Sequence, residues 1–166
     1  MRFFKILIVT LLAFSLFTGC VARDPKYITL EKKSSPYQYS NEVYKNVRYE
    51  NDFYLEVFDN NMYKTYPVDA SDTDILVSFF ESLNNDSYVT EYDLTDLEVQ
   101  YKLIVNFNKS DFSEKYVFNI YDNNFVTLYP WDGNLTEDMI VMTDIPRYNN
   151  LYDYCIYIVN KAHKNN

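Results

Sequence analysis

Apolar positions follow three patterns along the 166 residues. From Ile6 to Phe17 they form a nearly unbroken run (ILIVTLLAFSLF). Over 52–68 and 99–130 they mostly alternate with polar positions. Over 71–83 and 148–162 they recur every three or four residues. Alternation puts one face of a strand on a core, and three-to-four spacing marks a helix with one buried stripe.

In 52–58 (DFYLEVF), Phe53, Leu55 and Val57 share a face, Asp59-Asn60-Asn61 supplies turn chemistry, and Met62 to Val68 returns as a second strand. Pro67 cannot donate to a ladder, which puts the end of that strand at a sheet edge. Ser71, with Asp74 three residues on, predicts the cap of a first helix, and Asp72 and Asp74 suit its positive N-terminus. Ile75, Leu76, Phe79, Phe80 and Leu83 form its stripe, and Asn84-Asn85-Asp86-Ser87 stops it. Residues 88–98 are acidic and without a period. Residues 99–107 (VQYKLIVNF) alternate most cleanly. Strands over 114–121 and 125–130 follow around Asp122-Asn123-Asn124. Asn and Asp tolerate left-handed turn geometry, so this meander closes without glycine. Met139 to Thr143 reads as a short last strand. Leu151, Cys155, Ile158, Val159 and Ala162 mark a final helix over about 148–162. The expected fold is α+β: an antiparallel meander sheet with two helices packed on one face, in the order ββ-α-βββ-α.

The apolar run at the start has a separate meaning. Arg2 and Lys5 precede it, and Thr18-Gly19-Cys20 follow it. It is too short for a membrane span, which needs roughly 20 apolar residues. The arrangement resembles the lipobox of bacterial lipoproteins, in which a small residue stands before a cysteine. Phe17 departs from the leucine usual three positions before that cysteine. The resemblance implies cleavage between Gly19 and Cys20, diacylglycerol on the Cys20 thiol, and a protein held on the extracytoplasmic face of the cell membrane. The alternatives are ordinary secretion with cleavage after Ala22 and an uncleaved anchor. Residues 1–19 are thus read as a signal peptide, 20–45 as a lipidated N-terminus and tether, and 46–166 as one domain. Within 21–41 two prolines and Lys32-Lys33-Ser34-Ser35-Pro36 break any period, and only Tyr27 to Leu30 has strand character. The body, in its order of elements, tyrosine-rich strands and C-terminal helix, resembles small lipoproteins of unknown function from low-GC Gram-positive bacteria. That resemblance brings no active site with it.

Charge sharpens this picture. The chain has 15 basic and 24 acidic residues. Without Arg2 and Lys5 it carries net −11, divided between +2 near Cys20 and −13 over 34–166. A basic foot suits an anionic lipid surface, and an acidic body stands off from it. The same balance argues against nucleic acid, whose phosphates need Lys and Arg. The 18 Tyr and 12 Phe beside 2 Gly fit an AT-rich coding sequence, which weakens them as signs of a ligand. With Cys20 acylated, Cys155 is a lone thiol, expected to be buried.

Little in the sequence carries chemistry. His163, the single histidine, stands near the C-terminus and reads as a solvated tail residue. It has no second imidazole to work with. Zinc spacing, P-loop and dinucleotide motifs are missing, so neither metal nor cofactor is expected. Asp132, Asn134, Glu137 and Asp138 cluster without the spacing of a calcium loop and read as a wet turn. Asp93, Asp96 and Glu98 form a second acidic patch, and a glycosidase would need two carboxyls facing across a cleft. The remaining candidate is Tyr129-Pro130-Trp131-Asp132. Trp131, the one tryptophan, either stacks on a sugar or anchors a protein partner, or else folds back as a lid on the core; heavy use of aromatics in cores favours the lid. The function expected is an anchored, non-catalytic binding module. The alternatives are a carboxylate-based cell-wall or glycan enzyme and an accessory subunit of a membrane complex.

Overall fold

The computed structural model describes residues 33, 35–49, 52–108, 113–122, 124–131 and 136–164. Cys20 and the leader lie outside these, as do Asp132, Gly133 and Asn134.

The alternating segments form one antiparallel sheet of seven strands: β1 (Phe53–Asp59), β2 (Lys64–Pro67), β3 (Tyr88–Val89), β4 (Tyr101–Asn108), β5 (Ser113–Ile120), β6 (Phe125–Pro130) and β7 (Asp138–Val141). Their spatial order is β2-β1-β4-β5-β6-β7-β3. Helices are α1 (Gln38–Tyr49), α2 (Ile75–Ser82) and α3 (Leu151–Lys164). The fold is α+β, with three helices where the sequence pattern predicted two.

Register explains the core. Leu55 pairs with Val105, which pairs with Tyr116; Val57 pairs with Leu103, which pairs with Phe118 and then Leu128. With Ile120, Val126 and Ile140 these side chains make one buried face. Onto it pack Val43 of α1, Leu76, Phe79 and Phe80 of α2, and Leu151, Cys155 and Ile158 of α3. Phe79 meets Phe118 edge-on at 6.3 Å, one of the arrangements aromatic pairs prefer. On the opposite face Tyr92 stacks on Phe125 at 3.8 Å, so the acidic segment after β3 covers part of the sheet.

Three local predictions differ from the structure. Helix α1 begins inside the stretch read as tether: Lys33 and residues 38–49 belong to the packed fold. Val43 is fully buried, with Tyr39, Tyr44 and Val47 packed beside it, but this stripe is too narrow to stand out as a period. Ser71 does not cap α2. It sits in a 3-10 turn, Ala70–Asp72, and Asp74 holds the cap position without a side-chain bond. The stop at Asn84 to Ser87 holds, since α2 ends at Ser82, and its residues build a reciprocal cap: Asn84 accepts from the Asp86 and Ser87 amides, and the Asn84 amide donates to Ser87 Oγ. The last helix is shorter at its start, with a 3-10 turn over Arg147–Asn149 before α3. In the β1–β2 turn Asp59 Oδ1 accepts from the Asn61 and Met62 amides at 2.8 and 3.1 Å, and Tyr63 takes φ 49°.

Candidate functional site

Trp131 and Tyr129 stand two apart at the finish of β6, and Asp132, the third residue of that candidate site, lies outside the described residues. The Trp131 amide donates to the Lys115 carbonyl at 2.9 Å, extending the β5–β6 ladder one residue past Pro130. Trp131 is 59% exposed, so it is no lid on the core. Lys115 Nζ lies 5.3 Å from the ring, where the negative face of the indole favours a cation. Tyr129 is half-buried on the sheet face away from the helices. Its hydroxyl bonds the Asn119 side chain; burial raises its pKa and that bond opposes the rise. Asn119 Nδ2 reaches Thr127 Oγ1 at 3.5 Å, and Tyr121 bonds Thr127 in turn. The result is an exposed indole and a cation next to a row of hydroxyl and amide groups. Such a surface can stack on a flat partner and hydrogen-bond its rim.

Nearby, where β7 starts, lies a site that sequence reasoning missed. Asp138 is fully buried. Its Oδ2 accepts from the Ser40 amide and the Ser40 hydroxyl, both at 2.7 Å, and Lys33 Nζ pairs with its Oδ1 at 2.6 Å. Lys33 also donates to the Glu137 and Pro36 carbonyls at 2.8 and 3.2 Å. The Ser40 amide is in the first turn of α1, so a carboxylate from β7 caps that helix from outside its own sequence. Asp138 therefore belongs to an internal lock and not to the wet acidic turn expected of it. The only advance signal was the lysine pair Lys32-Lys33, which looked like a feature of the anchor.

The other chemistry-bearing groups have structural partners. Among the described residues no group of three or more His, Cys, Asp or Glu could hold a metal ion. His163 falls in the last turn of α3, its Nε2 3.3 Å from Tyr66 Oη, instead of in a loose tail. Cys155 is buried, and burial pushes its thiol pKa up, with Asp59 adding to the shift. In the second acidic patch Asp93 Oδ1 accepts from the Thr95 amide and hydroxyl, which lowers its carboxyl pKa. No helix among the described residues is long and apolar enough to cross a membrane.

A family model described as "Domain of unknown function (DUF4883)" matches residues 33–155. Its start coincides with Lys33 of the lock. A solved structure described as "Putative Lipoprotein from Clostridium perfringens" is similar to this chain at 29% identity and a TM-score of 0.67. The similarity covers 78% of this chain and 99% of that one. No curated protein matches.

Proposed function

The chain belongs to the family described as a domain of unknown function (DUF4883), and from that premise we propose that it is a lipid-anchored, extracytoplasmic binding module without catalytic activity. The similar Clostridium perfringens protein is described as a lipoprotein, and residues 1–20 here have the basic start, apolar core and cysteine of a lipoprotein leader. Cys20 carries the lipid. Two or more acyl chains hold firmly where one gives only marginal binding, at about 0.8 kcal/mol per buried CH₂.

The observation that supports binding over catalysis is the exposed Trp131. This fold buries Phe79, Phe107, Phe118 and Phe125 completely, yet leaves its largest aromatic on the surface beside Lys115. Trp131, Tyr129 and Asp132 form the proposed contact surface, and a glycan or a protein is the partner. Lys33, where the packed fold begins, is the thirteenth residue after Cys20. A fully extended segment of that length spans at most ~45 Å, so Lys33 stays within that reach of the bilayer surface.

The test is co-sedimentation of the mature protein with purified cell-wall sacculi and, separately, cross-linking in intact cells. Trp131→Ala should reduce capture in one of the two roughly tenfold, on the scale of an aromatic hot spot, while the unfolding midpoint stays put. Equal capture of wild type and variant in both assays would remove Trp131 from the contact surface.

A further inference from the structure

The sheet face that carries Trp131 also holds a buried acceptor with nothing to accept. Alternation along β6 puts Thr127, Tyr129 and Trp131 on that face, and pairing sets Asn119 opposite Thr127. Thr127 is fully buried and Asn119 is 9% exposed. Asn119 Nδ2 donates to Thr127 Oγ1 at 3.5 Å. It also serves Tyr129: the bond between them lowers the phenol pKa, so the amide donates and the phenol oxygen accepts. Both amide hydrogens are thereby used, and Asn119 Oδ1 has no hydrogen-bond partner among the described residues. A buried acceptor in that state works against the fold, and native proteins hold few of them.

Three further side chains converge on this amide. Tyr121 and Tyr129 are half-buried, and Tyr121 bonds the Thr127 hydroxyl. Glu137, just before β7, is half-buried as well. Its charge acts on both phenols, so its carboxylate lies beside the pair. No hydrogen bond or ion pair holds that carboxylate among the described residues. The cluster thus presents two unpaired acceptors, Asn119 Oδ1 and Glu137, next to two phenol O–H groups. A ligand that suits it brings donors in excess and can also accept. Every sugar hydroxyl does both, and a sugar ring adds a flat C–H face for the indole. An anionic ligand does not suit it, because Glu137 and a body at net −13 over 34–166 repel one. A slender chain with protruding hydroxyls reaches a recessed carbonyl that the broad face of a folded protein does not. From Trp131 to Thr127, with Asn119 beside it, the strand runs four residues or ~13 Å, about the length of a trisaccharide.

We propose that this face takes an uncharged oligosaccharide of about three rings laid along β6. One ring stacks on Trp131, hydroxyls reach Glu137 in the middle, and a donor at the far end meets Asn119 Oδ1. The proposal rests on the Trp131 contact surface and chooses a glycan over a protein as its partner.

Titration calorimetry on the mature protein in a detergent without sugar groups tests it. The probes are the β-1,4-linked trimers of N-acetylglucosamine and of glucose, the two monomers, and tetraalanine as an extended peptide. At least one trimer should bind, roughly tenfold or more tightly than its own monomer, which cannot span from Trp131 to Asn119. Binding should change little as salt is raised, because the ligand carries no charge. Trp131→Ala, Glu137→Ala and Asn119→Ala should each lose about tenfold. Glu137 and Trp131 are partly exposed, so those two variants should keep the wild-type unfolding midpoint and carry the test even if Asn119→Ala folds poorly. Binding of neither trimer, equal binding of trimer and monomer, indifference to Glu137→Ala, or tighter binding of tetraalanine than of both trimers would each overturn the proposal. If the sugars fail while Trp131→Ala still weakens capture by sacculi or in cells, the glycan assignment falls and the contact surface stands. If Trp131→Ala changes nothing in any assay, both fall.

Discussion

Lys33 and Asp138 form an ion pair with 11% and 0% of their side-chain surfaces exposed. The ammonium reaches one carboxylate and two carbonyls, and the carboxylate also receives two bonds from Ser40. Such a pair gains little over a well-packed apolar substitute, but breaking it leaves one buried charge alone. Lys33→Met should therefore cost about 3–5 kcal/mol in urea unfolding, and Lys33→Met with Asp138→Asn should recover part of that. If the single and double variants lose equally, the two residues are not coupled. Asp138 was legible only as one of three acids in the cluster Asp132, Asn134, Glu137 and Asp138. Its partner lies more than a hundred residues earlier in the chain, and one sequence does not show that the two meet. Cys155 was legible, because it falls on the apolar stripe of α3. Its buried, pKa-raised thiol should ignore an aromatic disulfide reagent in the native state and react fully in denaturant, since the thiolate is the nucleophile.

Among elements, the strands could be read because alternation is local: every second residue of β4 faces the core, and the cross-strand partners repeat the pattern. Helix α1 could not. Its buried positions are only Ser40 and Val43, its polar face is wide, and its cap comes from β7. The chain after Pro36 therefore looks like tether until the sheet is present to receive Val43. Val43→Ala removes two buried methyl groups and should cost about 2 kcal/mol. An unchanged midpoint would mean that α1 is not part of the cooperative unit. Helix α2 was found but its start was misplaced, because the chain enters through a 3-10 turn in which Thr73 Oγ1 donates to the Ala70 carbonyl at 2.9 Å. The exposure of Trp131 was not legible either: which end of β6 stays open is settled by packing between distant segments.

For the molecule as a whole, three buried acids set a limit at high pH. Burial raises the pKa of Tyr116, with Glu114 and Glu42 adding to it, and burial likewise raises Tyr154 and Cys155. In the unfolded chain these groups ionise near their ordinary values of 10.0, 10.0 and 9.0. The folded state binds these protons more tightly, so their stabilising contribution is complete below about pH 9 and is lost progressively as pH rises above 9 and 10 toward the raised folded-state values. Thermal unfolding followed by circular dichroism should show a midpoint with no loss from these groups up to about pH 8 that falls steeply above pH 10. A midpoint flat to pH 11 would show that Tyr116, Tyr154 and Cys155 are not buried together in solution.

What happens at Cys20 decides the rest, because location confines the choice of partner. An intact-mass spectrum of the protein extracted from membranes reads this directly. The predicted species begins at Cys20 and carries diacylglycerol on its sulfur, and Cys20→Ser should leave only unlipidated precursor beginning at Met1. A wild-type chain that begins at Arg23, or one without lipid at Cys20, would contradict the anchor and the confinement drawn from it.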